Sequence, residues 1–446
     1  MSLLGAALAV SLLVGDVTPS APLAEFVAAE RVRNAALPPH EPPLPERFAP
    51  RSRDMVKRDA DDGGSCCIYK LPEPVKIDGL NDPEYPAMLF RKAIHADERR
   101  RYDREEAAYL VKDIVHRPHK AAELGARRAR LLVAVKESSE RMVESLKALV
   151  TTPQLAHSPL REEGYYLYIL ELGALERYGE QQDAAQEFAR LYPHSAYQPH
   201  LEIVAGHRAL ARRELTPARA HYRRVLASAA RELHAHAHVG LGWSYLRAEA
   251  GEGPRADLAL AAFTRALELA IPDDLLASAD DGLVHAFAGA GRASRAARLF
   301  DRLAARRSIA LQERLALVYF ARGQIAESRQ IYVALQRRHP DDPGQCSWQQ
   351  GVVLSAAAVG DPDATFSEAV KLGEVWQGIR GGDRVLSNAV RRRCRDDALN
   401  NLIALARHWE LVGDQPRADQ TCAAVARLFP RDGDTLKLPC IAARHR

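Results

Sequence analysis

His234, His236 and His238 fall within one short stretch, LHAHAHVG, the densest cluster of histidines in the sequence. On a helix, His234 and His238 share a face at i, i+4 and His236 points away. Two imidazoles on one face hold a transition metal only with a third histidine or a carboxylate, and no H-E-x-x-H accompanies them. The chemistry on offer is therefore a metal-binding site built on His234 and His238, weighed against a solvated pair; no metal and no cofactor is assigned. The six cysteines are Cys66, Cys67, Cys346, Cys394, Cys422 and Cys440, with no C-x-x-C among them. Cys394, Cys422 and Cys440 fall close together, and the sequence allows either one bridge among them in an oxidising compartment or three unpaired thiols. Gly289-Ala290-Gly291 follows no strand, so it reads as a helix turn and not as a phosphate loop. Arg99-Arg100-Arg101 and Arg391-Arg392-Arg393 lie beside acidic neighbours without stacking aromatics, which makes them solvated helix faces and not nucleic-acid contacts. No G-x-S-x-G elbow, Walker A or kinase signature occurs, so no catalytic residue is assigned and the chain is read as a non-enzyme.

The elements that would carry these residues follow from composition. The 446 residues are 47% hydrophobic and 27% charged, with Lys+Arg 62 against Asp+Glu 58, a net charge of +4. Such a balance excludes a polytopic membrane protein, a wholly disordered chain and a dedicated nucleic-acid coat. Aromatics are only 6%, and alanine, leucine and arginine, which head the helix-propensity ranking, dominate. Arginine replaces lysine throughout residues 148–370, interleaved with acidic residues and spread over helix faces.

Four segments are expected. Leu3 to Val14 is an apolar run of signal-peptide length, too short to span a bilayer, so residues 1–22 read as a cleaved secretory signal, with an N-terminal docking helix as the alternative. Residues 23–86 form a proline-rich strap or linker that includes Pro38, Pro39, Pro42, Pro43 and Pro45. Residues 87–153 carry N-terminal helices, whose patterning begins near Asp82, is clear from Asp103 to His116, is broken by Pro118, and resumes as a long amphipathic helix from about Lys120 to Val150. Residues 160–446 are a repeat domain with no convincing strand.

The repeat is explicit. Ala316, Tyr319, Gly323, Ser328, Tyr332, Leu335 and Pro340 set a spacing that returns at Ala406, Trp409, Gly413, Ala418, Cys422, Val425 and Pro430. It returns at Val284, Phe287, Gly291, Ala296, Phe300 and Leu303, at Leu172, Leu175, Gly179, Ala184, Phe188 and Leu191, and at Gly206, Ala209, Arg213, Ala218, Tyr222 and Val225. A further unit, Gly242, Tyr245, Ala259, Phe263 and Ala266, fits with a longer turn. A small residue in the first helix admits the second helix, a glycine ends the first helix in the left-handed conformation, and alanine and an aromatic at i, i+4 form the second helix's packing stripe. A pair of this kind cannot bury its apolar face alone and must stack on neighbours.

This spacing resembles the tetratricopeptide repeat (TPR) family over roughly residues 160–340 and 396–430. Between those ranges, Trp348 to Ile379 reads as a degenerate pair and Val385 to Val412 as an irregular long helix. The stretch from Phe188 to Tyr197 is similar to the Y-P-x-S-x-Y turns of bacterial envelope members, although the lipoprotein cysteine of some of those proteins is missing. The resemblance implies an all-α fold, a right-handed superhelix (solenoid) of TPR-like helix pairs behind an irregular N-terminal extension. It implies a concave groove lined by the first helix of each pair: Tyr166, Ile169, His200, Ile203, His207, His236, Val239, Trp243, Asp281, His285, Glu313, Leu317, Phe320, Asn400, Ile403 and Arg407. Of these, His207, His236, Trp243, His285, Phe320 and Arg407 are the partner-binding candidates, with packing between helices as the competing role for each. The groove lacks the Lys/Asn/Arg clamp of chaperone-binding members. The expected function is a protein-interaction scaffold or adaptor in the periplasm or cell envelope, within a membrane-associated complex but with no membrane span in the mature chain and no nucleic-acid ligand. A cytoplasmic TPR regulator and a metal-binding protein using His234 and His238 are the alternatives.

Overall fold

The computed structural model describes residues 84–247, 253–269, 271–381 and 387–430. The expected signal (1–22) and nearly all of the strap (23–86) lie outside the described residues, as do the turn around Gly251 and the residues after Pro430. The described residues are all-helical, without a strand. No described helix is long and apolar enough to cross a membrane. The chain divides into two compact units: residues 44–208 with 220–233, and residues 1–43, 209–219 and 234–446.

In the first unit, α1 (Tyr85–His116) and α2 (Ala121–Thr151) form a long antiparallel hairpin, joined by a 3-10 turn at Pro118–Lys120. Proline stops α1 where the sequence places the break, and α1 begins at Tyr85, close to the expected onset near Asp82. The near half of the hairpin is cored by Phe90, Ala93 and Ile94 against Met142, Leu146, Leu149 and Val150. These side chains pack on α3 (Arg161–Ala174) and α4 (Tyr178–Leu191) through Tyr166, Leu172 and Phe188. Polar chemistry is buried with them. Arg100 of α1 forms ion pairs with Asp97 one turn back and with Glu171 of α3, and its Nη1 lies 3.5 Å from Ser139 Oγ of α2. The Arg100 side chain is 4% exposed and that of Glu171 0%, so one guanidinium joins three helices inside the core.

α5 (Gln198–Ala211) and α6 (Leu215–Ala227) are each divided between the units. The second unit continues with α7 (His234–Leu246), α8 (Ala256–Glu268), α9 (Asp273–Ala290), α10 (Ala296–Ala304), α11 (Ser308–Ala321), α12 (Ile325–Arg338), α13 (Gln345–Ala358), α14 (Pro362–Gly381), α15 (Asn388–Val412) and α16 (Gln415–Leu428). They pack consecutively as helix–turn–helix pairs, and successive first helices also touch: α7 with α9, α9 with α11, and α13 with α15.

The turns inside the pairs repeat one device. In five of them, a residue at positive φ follows the first helix, and two backbone N–H groups return to carbonyls of its last turn. Gly323 (φ 76°), Gly360 (φ 73°) and Gly413 (φ 79°) take that place, as do the non-glycines Glu176 (φ 60°) and Arg213 (φ 62°). The bonds are Gln324 N to Tyr319 O at 2.9 Å, Asp414 N to Trp409 O at 2.9 Å, Arg177 N to Leu172 O at 2.8 Å and Glu214 N to Ala209 O at 2.9 Å. Three expectations are corrected here. The left-handed residue of the α3–α4 turn is Glu176 and not Gly179, which lies inside α4, so that unit sits three residues earlier than its spacing suggests. Gly291 is extended (φ −85°, ψ 168°), because a 3-10 turn at Ala293–Arg295 takes the chain into α10. The segment expected to be degenerate is a regular pair, α13 and α14, whose Val353, Ala369 and Leu372 are buried.

The small residues of the first helices do what the spacing asks of them. A Cβ on Gly206 would stand 2.7 Å from the Tyr222 ring, and one on Gly242 would stand 2.6 Å from the Phe263 ring. The Phe263 ring is also touched from the following pair, since a Cβ on Gly282 would meet it at 2.1 Å. Tyr332 meets Gly351 of the next pair in the same manner, at 2.4 Å. An aromatic from each of these second helices is thus seated on glycine backbone of a first helix.

Candidate functional site

The first helices hold the candidate groove residues, and the structure separates them into two sets. One set links a first helix to its neighbour. Trp243 Nε1 of α7 donates to Ser278 Oγ of α9 at 2.9 Å, and Arg314 of α11 pairs with Asp281 of α9 at 2.6 Å. Trp348 Nε1 of α13 donates to Glu313 Oε1 of α11 at 2.6 Å, and Asn401 Nδ2 of α15 donates to Gln350 Oε1 of α13 at 2.7 Å. These four links form a polar ladder, one rung per step, and two of the rungs join residues 35 apart in sequence. In the first unit, Tyr166 Oη and His200 Nδ1 of α5 make the equivalent contact at 2.5 Å. Burial raises the Glu313 carboxyl above the ordinary carboxylate range, partly opposed by the indole N–H that it accepts.

Trp243, His236, His285 and His207 belong to this inward-facing set. Trp243 is 0% exposed and packs edge-on against Phe263 with ring centroids 5.4 Å apart, so it offers no surface to a partner. His285 is buried between Asp281, 3.6 Å from its Nε2, and Arg322, 3.3 Å from its Nδ1. His207 is buried with its ring tilted against Tyr222 at 5.8 Å, in the first unit. His236 is 2% exposed, and both of its ring nitrogens lack a hydrogen-bond partner among the described residues. Tyr166, Ile169, His200, Ile203, Val239 and Asp281 are buried as well. An i, i+4 stripe identifies a face, and for these residues the face is used in packing.

The other set stays accessible. Phe320, Leu317 and Glu313 of α11 and Ile403 of α15 are half-buried, while Asn400 and Arg407 of α15 are exposed. Phe320 and Arg407 are therefore the two of the six partner-binding candidates that the fold leaves open. Leu411, Val412 and Val359, at the ends of α15 and α13, are exposed apolar residues that the repeat spacing gives no reason to single out.

Among the described residues no group of three or more histidine, cysteine, aspartate or glutamate side chains is placed to hold a metal ion. His238 lies in a partly buried place beside cationic neighbours. Burial, then the Arg265 guanidinium, then His234 push its pKa down to about 4. His236 and His408 are also lowered, by burial first. Each of these imidazoles is held neutral by the fold, and the unfolded chain binds its proton near pH 6.5. Their stabilisation is complete above that pH and is lost as the pH falls toward their lower native values. The urea midpoint is expected to drop between pH 7.5 and pH 5, by up to about 1.4 kcal/mol per pH unit for each group that titrates alone. His238→Gln should flatten that slope, and an unchanged midpoint between the two pH values would contradict it.

The cysteines are the feature that sequence spacing misplaces. Cys394 is bridged to Cys346, which spacing did not group with it, with Cα atoms 5.7 Å apart. Cys422 is disulfide-bonded too. The partner of Cys394 lies 48 residues away on α13, and pairing at that distance cannot be read from cysteine order. Comparison of the chain with protein-family models gives no match, and comparison with curated proteins gives none either.

Proposed function

We propose that this protein is a non-catalytic scaffold of the tetratricopeptide kind, whose helix pairs wind into a right-handed superhelix and which binds a protein partner along its first helices. The observation that carries this reading is the division of the first-helix side chains. The ladder and the buried aromatics set the spacing of the helices, and Leu317, Phe320, Asn400, Ile403 and Arg407 remain accessible on them. That remainder combines apolar anchors with a guanidinium and an amide, a composition suited to a peptide or helix and not to a small molecule. The bacterial cell envelope is the proposed location, within a membrane-associated assembly. The apolar leader from Leu3 to Val14 and the bridged Cys346, Cys394 and Cys422 support an oxidising compartment over the cytoplasmic alternative.

Photo-crosslinking residues installed at Phe320 and Ile403 in the native cells test the reading, with Gln330 on the outer helix α12 as control. The expected result is one partner protein captured from both first-helix positions and not from Gln330. Phe320→Ala is then expected to weaken binding of that partner at least about tenfold, as truncation of an anchor does. Capture from Gln330 with equal yield, or unchanged affinity of Phe320→Ala, would remove the groove assignment.

A further inference from the structure

We propose that the Cys346–Cys394 disulfide is a redox clasp that holds the first turns of α15 on the body, and that a dithiol reductant releases residues 388–397 while the rest of the pair stays packed. α15 has 25 residues where α13 and α16 have 14, and the excess lies at its N-terminal end. From Ser387 to Asp397 the one buried side chain is Cys394, at 2% exposure. Its partner, Cys346 in the first turn of α13, is 4% exposed, in a core with Val353, Ile379, Ala398 and Leu402. Past Asp397 the helix is docked by Ala398, Leu399 and Leu402 and by the Asn401 rung of the ladder.

Without the bond, the leading turns lose the covalent anchor at their one buried side chain. Isolated helical turns are marginal in water. Arg391, Arg392 and Arg393 sit in the first two turns, which contain no acidic residue in the first, so their charges oppose the positive end of the helix dipole. The Ser387 cap on Val390 N, at 3.3 Å, satisfies one of the free N–H groups there. The covalent link thus substitutes for the apolar face that these turns lack. In the release step, a thiolate of the dithiol attacks one sulfur to form a mixed disulfide, and the second thiol of the reductant displaces it. Two electrons and two protons end on Cys346 and Cys394 as thiols, and the reductant leaves as a disulfide. Fraying of the helix end gives the thiolate access to a bond that is otherwise buried.

Hydrogen exchange read by mass spectrometry on the whole chain tests the proposal, comparing the oxidised protein, the protein in dithiothreitol, and Cys346→Ala/Cys394→Ala. The double variant is required because dithiothreitol also reaches the bridge at Cys422. The expected result is exchange about tenfold or more faster at residues 388–397 in the variant without reductant, with 398–428 unchanged. Dithiothreitol should produce the same local change in the unmodified protein and add nothing at 388–397 in the variant. Equal exchange at 388–397 in all samples would show that other contacts dock these turns. Loss of protection spreading through 398–428, or failure of the variant to fold, would make the bond a staple of the whole unit, and free thiols at Cys346 and Cys394 in the purified protein would remove the clasp altogether.

Discussion

Replacing Arg100 with methionine is expected to destabilise the first unit by about 3–5 kcal/mol, the usual result of removing one partner of a buried ion pair. Methionine fills the space of the arginine stem, so the loss is electrostatic. Asp97 keeps a second cation, since Arg101 Nη2 lies 2.9 Å from its other oxygen. Glu171 has a fully buried side chain and pairs with Arg100. Removing that guanidinium takes one charge partner from a fully buried carboxylate at the junction of α1, α2 and α3. Urea denaturation of Arg100→Met, Glu171→Gln and the double variant reads the effect, and the double variant should recover part of the loss of Arg100→Met. A loss below about 1 kcal/mol would mean that the carboxylates are already solvated and the network is peripheral.

Trp243→Ala is expected to cost the second unit about 3–5 kcal/mol, as deletion of a fully buried large aromatic does. The ring packs on Phe263, and its N–H supplies the first rung of the ladder. Trp243→Phe separates the two contributions: it retains most of the packing and should cost about 1–2 kcal/mol for the lost bond and the stranded Ser278 hydroxyl. Phe320→Ala, on a half-buried position, should change stability by less than about 1 kcal/mol. The pair of variants therefore gives opposite patterns in two measurements. Trp243→Ala lowers the denaturation midpoint, and Phe320→Ala lowers partner affinity. If Trp243→Ala left the midpoint unchanged and abolished binding, the division of the first-helix side chains would be wrong.

The parts of this architecture that were legible in sequence are the local ones. The i, i+4 stripes of Ala218 with Tyr222 and Ala259 with Phe263 report their own helices, and Gly323 and Gly413 announce their turns, because each signal is complete within one pair. Glu176 and Arg213 hide the same turn under residue types that seldom take positive φ, which is why the register of the first pair was displaced. The candidate site was less legible. His236, Trp243 and Phe320 are all apolar or weakly polar residues of first helices, and the pattern of one helix cannot say whether a neighbour 35 residues away will cover it. The Trp243 rung depends on Ser278, the Trp348 rung on Glu313, and the disulfide on Cys346, all of them residues that the spacing of a single repeat does not mark.

The seating of Phe263 between Gly242 and Gly282 bears on how such an array can be cut and rejoined. Helical repeats are commonly treated as bricks, to be added, removed or reordered at will. Here the joint is keyed. The ring projecting from α8 fits a following helix only if that helix presents bare backbone at the matching place, and Tyr332 makes the same demand of Gly351. Excising α9 and α10 so that α8 meets α11 would put Arg314, which stands nine residues before its turn glycine as Gly282 and Gly351 stand before theirs, against Phe263. A side chain in place of bare backbone would then block the splice, whereas a helix that presents Gly351 would carry the right key. The order of the pairs is thus written into which aromatic precedes which glycine.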